Sequence, residues 1–372
     1  MARSLVICGR SNYTGYGRHV TEIIRALSKL GTGVKLIERH DALGALDLPI
    51  DSSVILHIRM PSAMRILERM LSVNWTTFEA TPIPEHWVKP SLSHDLLILS
   101  TDSAKQAWIA AGIPEERLTV CPLGVDSGRF HPAVEPLQLG NHRGRRVNEY
   151  KTRFLNISAF VSSPRKNILG MLRVWMRATN ANDDAILILK LTGHKYRWWW
   201  PDAFTCALKA MERKIGKTRK EAAPVLFYNQ VLPDRRMPSL YAAATHYWSM
   251  SYGEGWDLPM MEAGATGLYL IAPNHSAYMA YLDDSVAQMI PSRRVPADFN
   301  QGKGLGKLFE GSHWWEPDEE IAAGLIRRAI KTAGEGSPSA RPRIASNFTW
   351  DQSAKRLVAI LEELHERRGQ KF

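Results

Sequence analysis

Short apolar runs recur along the chain, each followed by a polar or Gly-rich turn and then by apolar residues at helical spacing. Leu5 to Cys8 opens the series, GRSNYTGYG follows, and Val20, Ile23, Ile24, Leu27 and Leu30 then repeat every three or four residues until Gly31. That pattern predicts a strand, a loop and a helix. Val34 to Ile37, Val54 to Ile58, Leu71 to Trp75, Asp95 to Leu99 and Leu118 to Val120 read as further buried strands. Apolar strands this short, alternating with helical or loop segments, predict a parallel, doubly wound sheet. Ser103 with Gln106 has the spacing of a capping box, opening a helix that ends near Gly112.

From about Pro132 to Arg153 the periodicity gives way to Pro, Gly and Asn and to five basic residues, Arg143, Arg145, Arg146, Lys151 and Arg153, the composition of a linker. A second series then follows: Phe154 to Phe160, a helix around Leu169 to Ala178, Ile186 to Thr192, Val225 to Tyr228, Tyr247 to Met250 and Leu268 to Ala272. Thr349 with Gln352 forms another capping-box pattern, before a last helix with Ala354, Leu357, Val358, Leu361 and Leu364 on one face. The expected organisation is two α/β domains, 1–140 and 141–348, and a C-terminal helix in 349–372.

Composition leaves this picture intact: 372 residues, 45% of them hydrophobic and 23% charged, make an ordinary folded chain long enough for two domains. Charge adds to it. Lys and Arg number 48 against 37 Asp and Glu, a net +11 that suits an anionic partner: nucleotide phosphates, acidic glycans, lipid headgroups or nucleic acid. Cys8, Cys121 and Cys206 contain no CxxC pair and are odd in number, so neither a disulfide framework nor a zinc knuckle is expected. The first apolar run is too short for a signal-peptide core and no stretch approaches 18 apolar residues. A soluble, cytoplasmic protein is expected, with a peripheral position on the membrane face open to its basic surface.

The segment richest in chemistry is YGEGWDLPMMEAGATG, residues 252 to 267. Glu254 and Glu262 flank a Pro suited to the first turn of a helix, and an apolar strand precedes them. This puts Glu254 in the loop at the carboxyl end of a strand, the free amides of residues 257 to 260 at a helix N-terminus, and Glu262 about a turn inside. Helix N-termini bind phosphate through those amides and the dipole. The flanking carboxylates offer acceptors to sugar hydroxyls; the residues alone equally allow Glu254 as a loop charge and Glu262 as an exposed helix position. GxxxxGK[ST] and GxSxG are both absent, which excludes P-loop kinases and serine hydrolases.

The segment resembles the E-x7-E signature of the retaining GT-B glycosyltransferases of family 4 (glycosyl transferases group 1), on Glu254, Gly255, Leu258, Pro259, Glu262, Ala263 and Gly267. LTVCPLGVDSGRFHP, residues 118 to 132, is similar to the family's interdomain stretch through Pro122, Gly124, Val125, Asp126, Phe130 and Pro132. SSPRKN, residues 162 to 167, resembles its Pro-Arg-Lys-Asn element. VLPDRRMPSLYAAATHYWSMSYGEG is similar to the run from the base-binding loop to the signature, and FTWDQSAKRL to the C-terminal crossing helix.

The resemblance implies a GT-B fold: two Rossmann-like, doubly wound domains facing across a cleft, acceptor side first and donor side second, with the last helix returning to the first domain. It implies transfer of a hexose from a UDP- or GDP-sugar to a glycan or lipid-linked saccharide, with retention, by a front-face route in which the departing phosphate helps take the acceptor proton. Glu262 would hydrogen-bond the ribose and Glu254 the hydroxyls of the donor sugar. Arg165 and Lys166 would face the diphosphate, where positive charge stabilises the leaving group. Leu232 belongs to the base-binding loop, and Gly255, Trp256, Asp257 and Leu258 line the donor site. Gly15 and Gly17, in the first strand-to-helix turn, would let the donor phosphate and the acceptor approach the backbone. Glu79, in VNWTTFEATPIPEHW, stands where many members carry a His, and is implied as a donor-sugar or acceptor contact; His86 lies beyond it. Closure of the cleft on the donor is expected. With no D-x-D and no His/Cys/Asp cluster at ligand spacing, a metal-dependent GT-A transferase is disfavoured and neither metal nor cofactor is expected.

Trp198 to Trp200, followed by six basic residues between Lys209 and Lys220, suit a membrane interface, a sugar-stacking platform, base stacking, or a helix packing its Trp side chains inward. Trp314 and Trp315 are expected to be structural, and His57 packed. Two other functions fit the same residues: a glucosyltransferase acting on modified bases in DNA, with nucleic acid as the less favoured partner, and an inactive nucleotide-sugar-binding subunit.

Overall fold

The computed structural model describes residues 4–12, 14–38, 54–61, 70–159, 164–192, 200–297 and 308–367. Its first half is a parallel sheet in the order β2-β1-β3-β4-β5-β6. The strands are β1 (Ser4–Cys8), β2 (Gly33–Ile37), β3 (Val54–Ile58), β4 (Leu71–Thr76), β5 (Leu96–Leu99) and β6 (Leu118–Val120). β3, β4 and β5 are buried along their whole length; β5 is wholly apolar, while β3 buries His57 and β4 buries Ser72, Asn74 and Thr76. Helices α1 (Gly15–Lys29), α2 (Glu85–Leu92) and α3 (Asp102–Ile109) follow β1, β4 and β5. The Thr14 hydroxyl caps α1 by accepting from the Gly17 amide at 3.1 Å. α3 begins earlier than its sequence suggests. Thr101, not Ser103, is the cap, its hydroxyl accepting from the Ala104 amide at 3.0 Å while Ser103 lies inside the helix and bonds to that hydroxyl.

Residues 132–153 are more ordered than a linker. They hold the antiparallel pair β7 (Asn141–His142) and β8 (Arg145–Arg146), and they bury Leu137, Val147 and Tyr150 in the main core. The basic side chains here satisfy local oxygens: Arg143 donates to the carbonyls of Arg219 and Ala222, Arg145 pairs with Asp184 at 2.7 Å, and Arg153 donates to the carbonyls of Ala243 and Tyr150.

The second half is another parallel sheet, ordered β11-β10-β9-β12-β13-β14. It comprises β9 (Thr152–Ala159), β10 (Ala185–Thr192), β11 (Val225–Tyr228), β12 (His246–Trp248), β13 (Tyr269–Pro273) and β14 (Gln288–Ile290). Around it lie α4 (Ile168–Ala178), α5 (Trp200–Ile215), α6 (Met237–Ala242), α7 (Leu258–Thr266), α8 (Glu319–Thr332) and α9 (Arg341–Asn347). Phe160, Ser162, Ser163, Trp198 and Trp199 lie outside the described residues, and of Trp200 only the backbone, at the start of α5, is described. Among the described residues no helix is long and apolar enough to cross a membrane.

The last helix and a hairpin, both of which follow the second sheet, pack on the first half. α10 (Trp350–Arg367) packs on α1 and buries Trp350, Ala354, Leu357 and Leu361. Its capping box closes in both directions, Gln352 N–H to the Thr349 hydroxyl at 3.2 Å and Thr349 N–H to the Gln352 amide oxygen at 3.0 Å. The hairpin β15 (Ser292–Pro296) and β16 (His313–Pro317) bridges to Thr81, whose backbone exchanges hydrogen bonds with His313 at 2.8 and 3.2 Å. Phe309 and Trp314 thereby join Phe78, Trp87 and Trp108 in one buried cluster, the structural role expected for Trp314. His57 is fully buried on β3, 5.2 Å from the ring of His94, as expected of a packed histidine.

Candidate functional site

The loops that follow β1, β4, β9, β12 and β13 at their carboxyl ends meet one another, bringing residues from both halves together. After β9, a single turn (Pro164–Lys166) presents two cations, and Asn167, in the left-handed conformation, caps α4 by accepting from the Gly170 amide. The loop after β12 is pinned to that turn by Tyr252 N–H donating to the Arg165 carbonyl at 2.7 Å. Glu254 in this loop is buried between the cations, 3.1 Å from Arg165 Nη1 and 2.6 Å from Lys166 Nζ. Burial alone would raise its carboxyl; Lys166 and Arg165 outweigh that and hold it well below the usual carboxylate range. Arg165 also donates to the Gly253 carbonyl and reaches Glu79 Oε1 at 3.3 Å, so its guanidinium joins the halves. Thr77 Oγ1 adds a bond to the Gly255 carbonyl at 2.9 Å.

α7 starts where the sequence places it. Asp257, left-handed at φ 65°, caps the helix through the Met260 amide and accepts from the Tyr278 hydroxyl at 2.7 Å. Burial and then the neighbouring Glu254 charge push its carboxyl upward. Glu262, in the second turn, is also buried; the Tyr241 hydroxyl donates to it at 2.6 Å and Arg18 Nη2 approaches to 3.4 Å. Burial lifts its carboxyl to about 7 against the pull of Arg18 and the Tyr241 hydroxyl. Arg18 further pairs with Asp234, which Arg129 contacts at 2.8 Å while also holding Glu22 at 3.2 Å.

Glu79, Arg165, Lys166, Glu254 and Gly255 therefore form one constellation, with Glu262 and the N-terminus of α7 beside it. Other expected contacts sit differently. Gly15 opens α1 on the surface with open space around it, whereas a side chain on Gly17 would collide with Asn12; Gly17 thus serves the tightness of the turn. Trp256 turns into the core against Tyr281 and Phe348, with centroids 5.2 and 5.9 Å away. Leu258 and Leu232 are half-buried, both packed against the main core. Arg129, Asp234 and Tyr241 carry no local signal, since their partners lie far away in the chain; only Arg18 could have been noticed, as the cation that ends the first loop. Among the described residues no group of three or more His, Cys, Asp or Glu side chains is arranged to hold a metal.

Two doubly wound sheets with their carboxyl ends opposed, and a final helix returning to the first half, define the GT-B fold. No protein-family profile and no curated protein matches the sequence. Solved structures do match in fold. Sucrose-phosphate synthase from Thermosynechococcus elongatus is similar at a TM-score of 0.68 and 12% identity, over 98% of this chain and 100% of that one. Anabaena HepE in complex with UDP and glucose matches at 0.62 and 11%, over 97% and 100%. The lipopolysaccharide outer core galactosyltransferase WaaB matches at 0.60 and 12%, over 98% and 100%.

Proposed function

We propose that this chain is a glycosyltransferase that moves a hexose, with retention, from a UDP- or GDP-sugar to a glycan or lipid-linked saccharide. One observation carries the reading: a buried carboxylate, Glu254, sits between Arg165 and Lys166 one turn before a helix N-terminus, with a second buried carboxylate, Glu262, on that helix. The cations are placed to receive a diphosphate, and neutralising it as the glycosidic bond breaks lowers the barrier to its departure. The α7 dipole adds positive potential at the same point. Glu254, kept ionised, can only accept hydrogen bonds, and so suits sugar hydroxyls; Glu262 suits the ribose. The departing phosphate oxygen then takes the acceptor proton. Glu79, the third carboxylate on Arg165, is given to the donor sugar or the acceptor. The UDP and glucose in the HepE structure and the galactosyltransferase activity in the name of WaaB support the same reading. The net charge of +11 supports an acceptor at an anionic membrane face.

The test is thermal stabilisation by UDP, GDP, ADP and TDP and by their sugars, with release of the nucleoside diphosphate measured alongside. A ligand at a hundred times its dissociation constant stabilises by roughly 2.7 kcal/mol. A shift with one nucleotide, altered by one attached sugar, is the expected result. No shift with any of them, together with a shift on DNA or lipid, would overturn it.

A further inference from the structure

β13 ends at Pro273 beside the loop that carries Glu254, and His275 and Ser276, just beyond it, contact that loop. His275 Nε2 lies 2.8 Å from the Ser251 carbonyl oxygen. A carbonyl only accepts, so Nε2 carries the ring hydrogen; a neutral imidazole has one, which leaves Nδ1 bare. Nδ1 is 2.8 Å from the Ser276 hydroxyl and accepts its proton. The hydroxyl oxygen in turn accepts from the Glu254 amide at 3.2 Å. Every donor in this chain has an acceptor. The ring cannot turn away, because it is buried and stacked on Trp315 of β16, with centroids 5.4 Å apart and planes within 14°. Burial lowers the imidazole to about 4, so it stays neutral near neutral pH. Ser276 holds φ at 43°, a region L-residues with a side chain rarely occupy. A glycine would be at ease there, but it has no hydroxyl to give Glu254.

We propose that His275 and Ser276 are positioning residues, which together fix the backbone of Glu254 and so the direction in which its carboxylate meets the donor sugar. The inference rests on the glycosyl-transfer reading for what Glu254 does; the hydrogen-bond chain itself does not.

Ser276→Gly separates positioning from folding, since it relieves the backbone while deleting the hydroxyl. Its thermal midpoint should equal or exceed that of the wild type. Amide hydrogen exchange across residues 251–255 should quicken at least tenfold, and kcat with the preferred nucleotide sugar should fall at least tenfold. Affinity for the free nucleoside diphosphate should change less than twofold. His275→Gln, which keeps one donor and one acceptor, should retain more kcat than His275→Leu. Unchanged exchange across 251–255, or a kcat within twofold of wild type, overturns the proposal. A wild-type chain inert towards every nucleotide sugar defeats the glycosyl-transfer reading instead, and the exchange comparison still decides whether the pair holds the loop.

Discussion

Arg18, near the start of α1, and Glu262, in the second turn of α7, approach to 3.4 Å although 244 positions separate them in the chain. The pair crosses from one half of the molecule to the other, and Asp234 and Arg129 extend it. The Glu262 carboxylate, proposed above to meet the ribose, is thus held by a cation from the opposite half and by the hydroxyl of Tyr241.

That environment gives Glu262 a pH signature. Its carboxyl is raised from 4.5 to about 7, with burial the cause, so the folded chain holds this proton more tightly than the unfolded one. The resulting contribution to stability is complete below pH 4.5 and is lost as the pH rises through about 7. Glu262→Gln should remove this loss: urea titrations at pH 5 and pH 8 should show a smaller decline in the variant than in the wild type. Equal declines would contradict the assignment.

Glu254 behaves in the opposite sense. Lys166 and Arg165 overcome burial and depress its carboxyl, so its contribution is present above pH 4.5 and lost as the pH falls. Lys166→Ala leaves the carboxylate with Arg165 and a hydrogen bond from Ser251, and acid unfolding should move to higher pH. Turnover should fall roughly 100-fold, the scale of losing one charge-stabilising donor, with a smaller effect on nucleoside diphosphate affinity. Wild-type kinetics and an unmoved acid transition would remove Lys166 from the site.

Gly253 lies against the Glu79 carbonyl, and a methyl group there would collide with backbone that cannot rotate aside. Gly253→Ala should lower stability by about 1–3 kcal/mol and impair turnover. Gly15→Ala is the control, with open space at the site and a helix position that favours Ala; its melting temperature should be unchanged or slightly higher.

Trp314 fills the cluster shared by the β15–β16 hairpin and the first half. Trp314→Ala should cost about 3–5 kcal/mol, read by chemical denaturation. A loss under 1 kcal/mol would mean that the hairpin does not tie the halves together.

Most strands of both sheets were legible because their apolar residues cluster in short runs, as in VILHI of β3 and LLIL of β5; β14, three residues long with a Gln at its start, was not. β15 and β16 were not, since SRRVP and HWWEP mix exposed Arg293 and Arg294 and half-buried Glu316 with the buried Trp314. The capping box expected at Thr349 forms and the one expected at Ser103 does not, because Thr101, two residues earlier, takes the Ala104 amide and caps the helix. Basic residues between Pro132 and Arg153 resembled a linker because several of their partners, the carbonyls of Arg219, Ala222 and Ala243 and the Asp184 carboxylate, lie far off in the sequence. At the site, Arg165, Lys166, Glu254 and Glu262 stand in short recognisable segments. His275, Ser276 and Tyr241 act through single hydrogen bonds to those segments, and a contact of that kind leaves no period or spacing behind.

The packing of α10 on α1 bears on how the protein is made. Val125 N–H bonds to the Phe348 carbonyl, His19 stacks with Trp350 at 5.9 Å, and Lys29 pairs with Asp351 at 3.1 Å. The partners at 348–351 leave the ribosome more than 200 residues after the first sheet. The strands of the first sheet are made by residue 120, yet the outer face of α1 waits for a helix that follows the whole second sheet in the sequence. A nascent chain therefore carries an uncovered apolar helix face while the whole second sheet is made, and the first half becomes complete only after that.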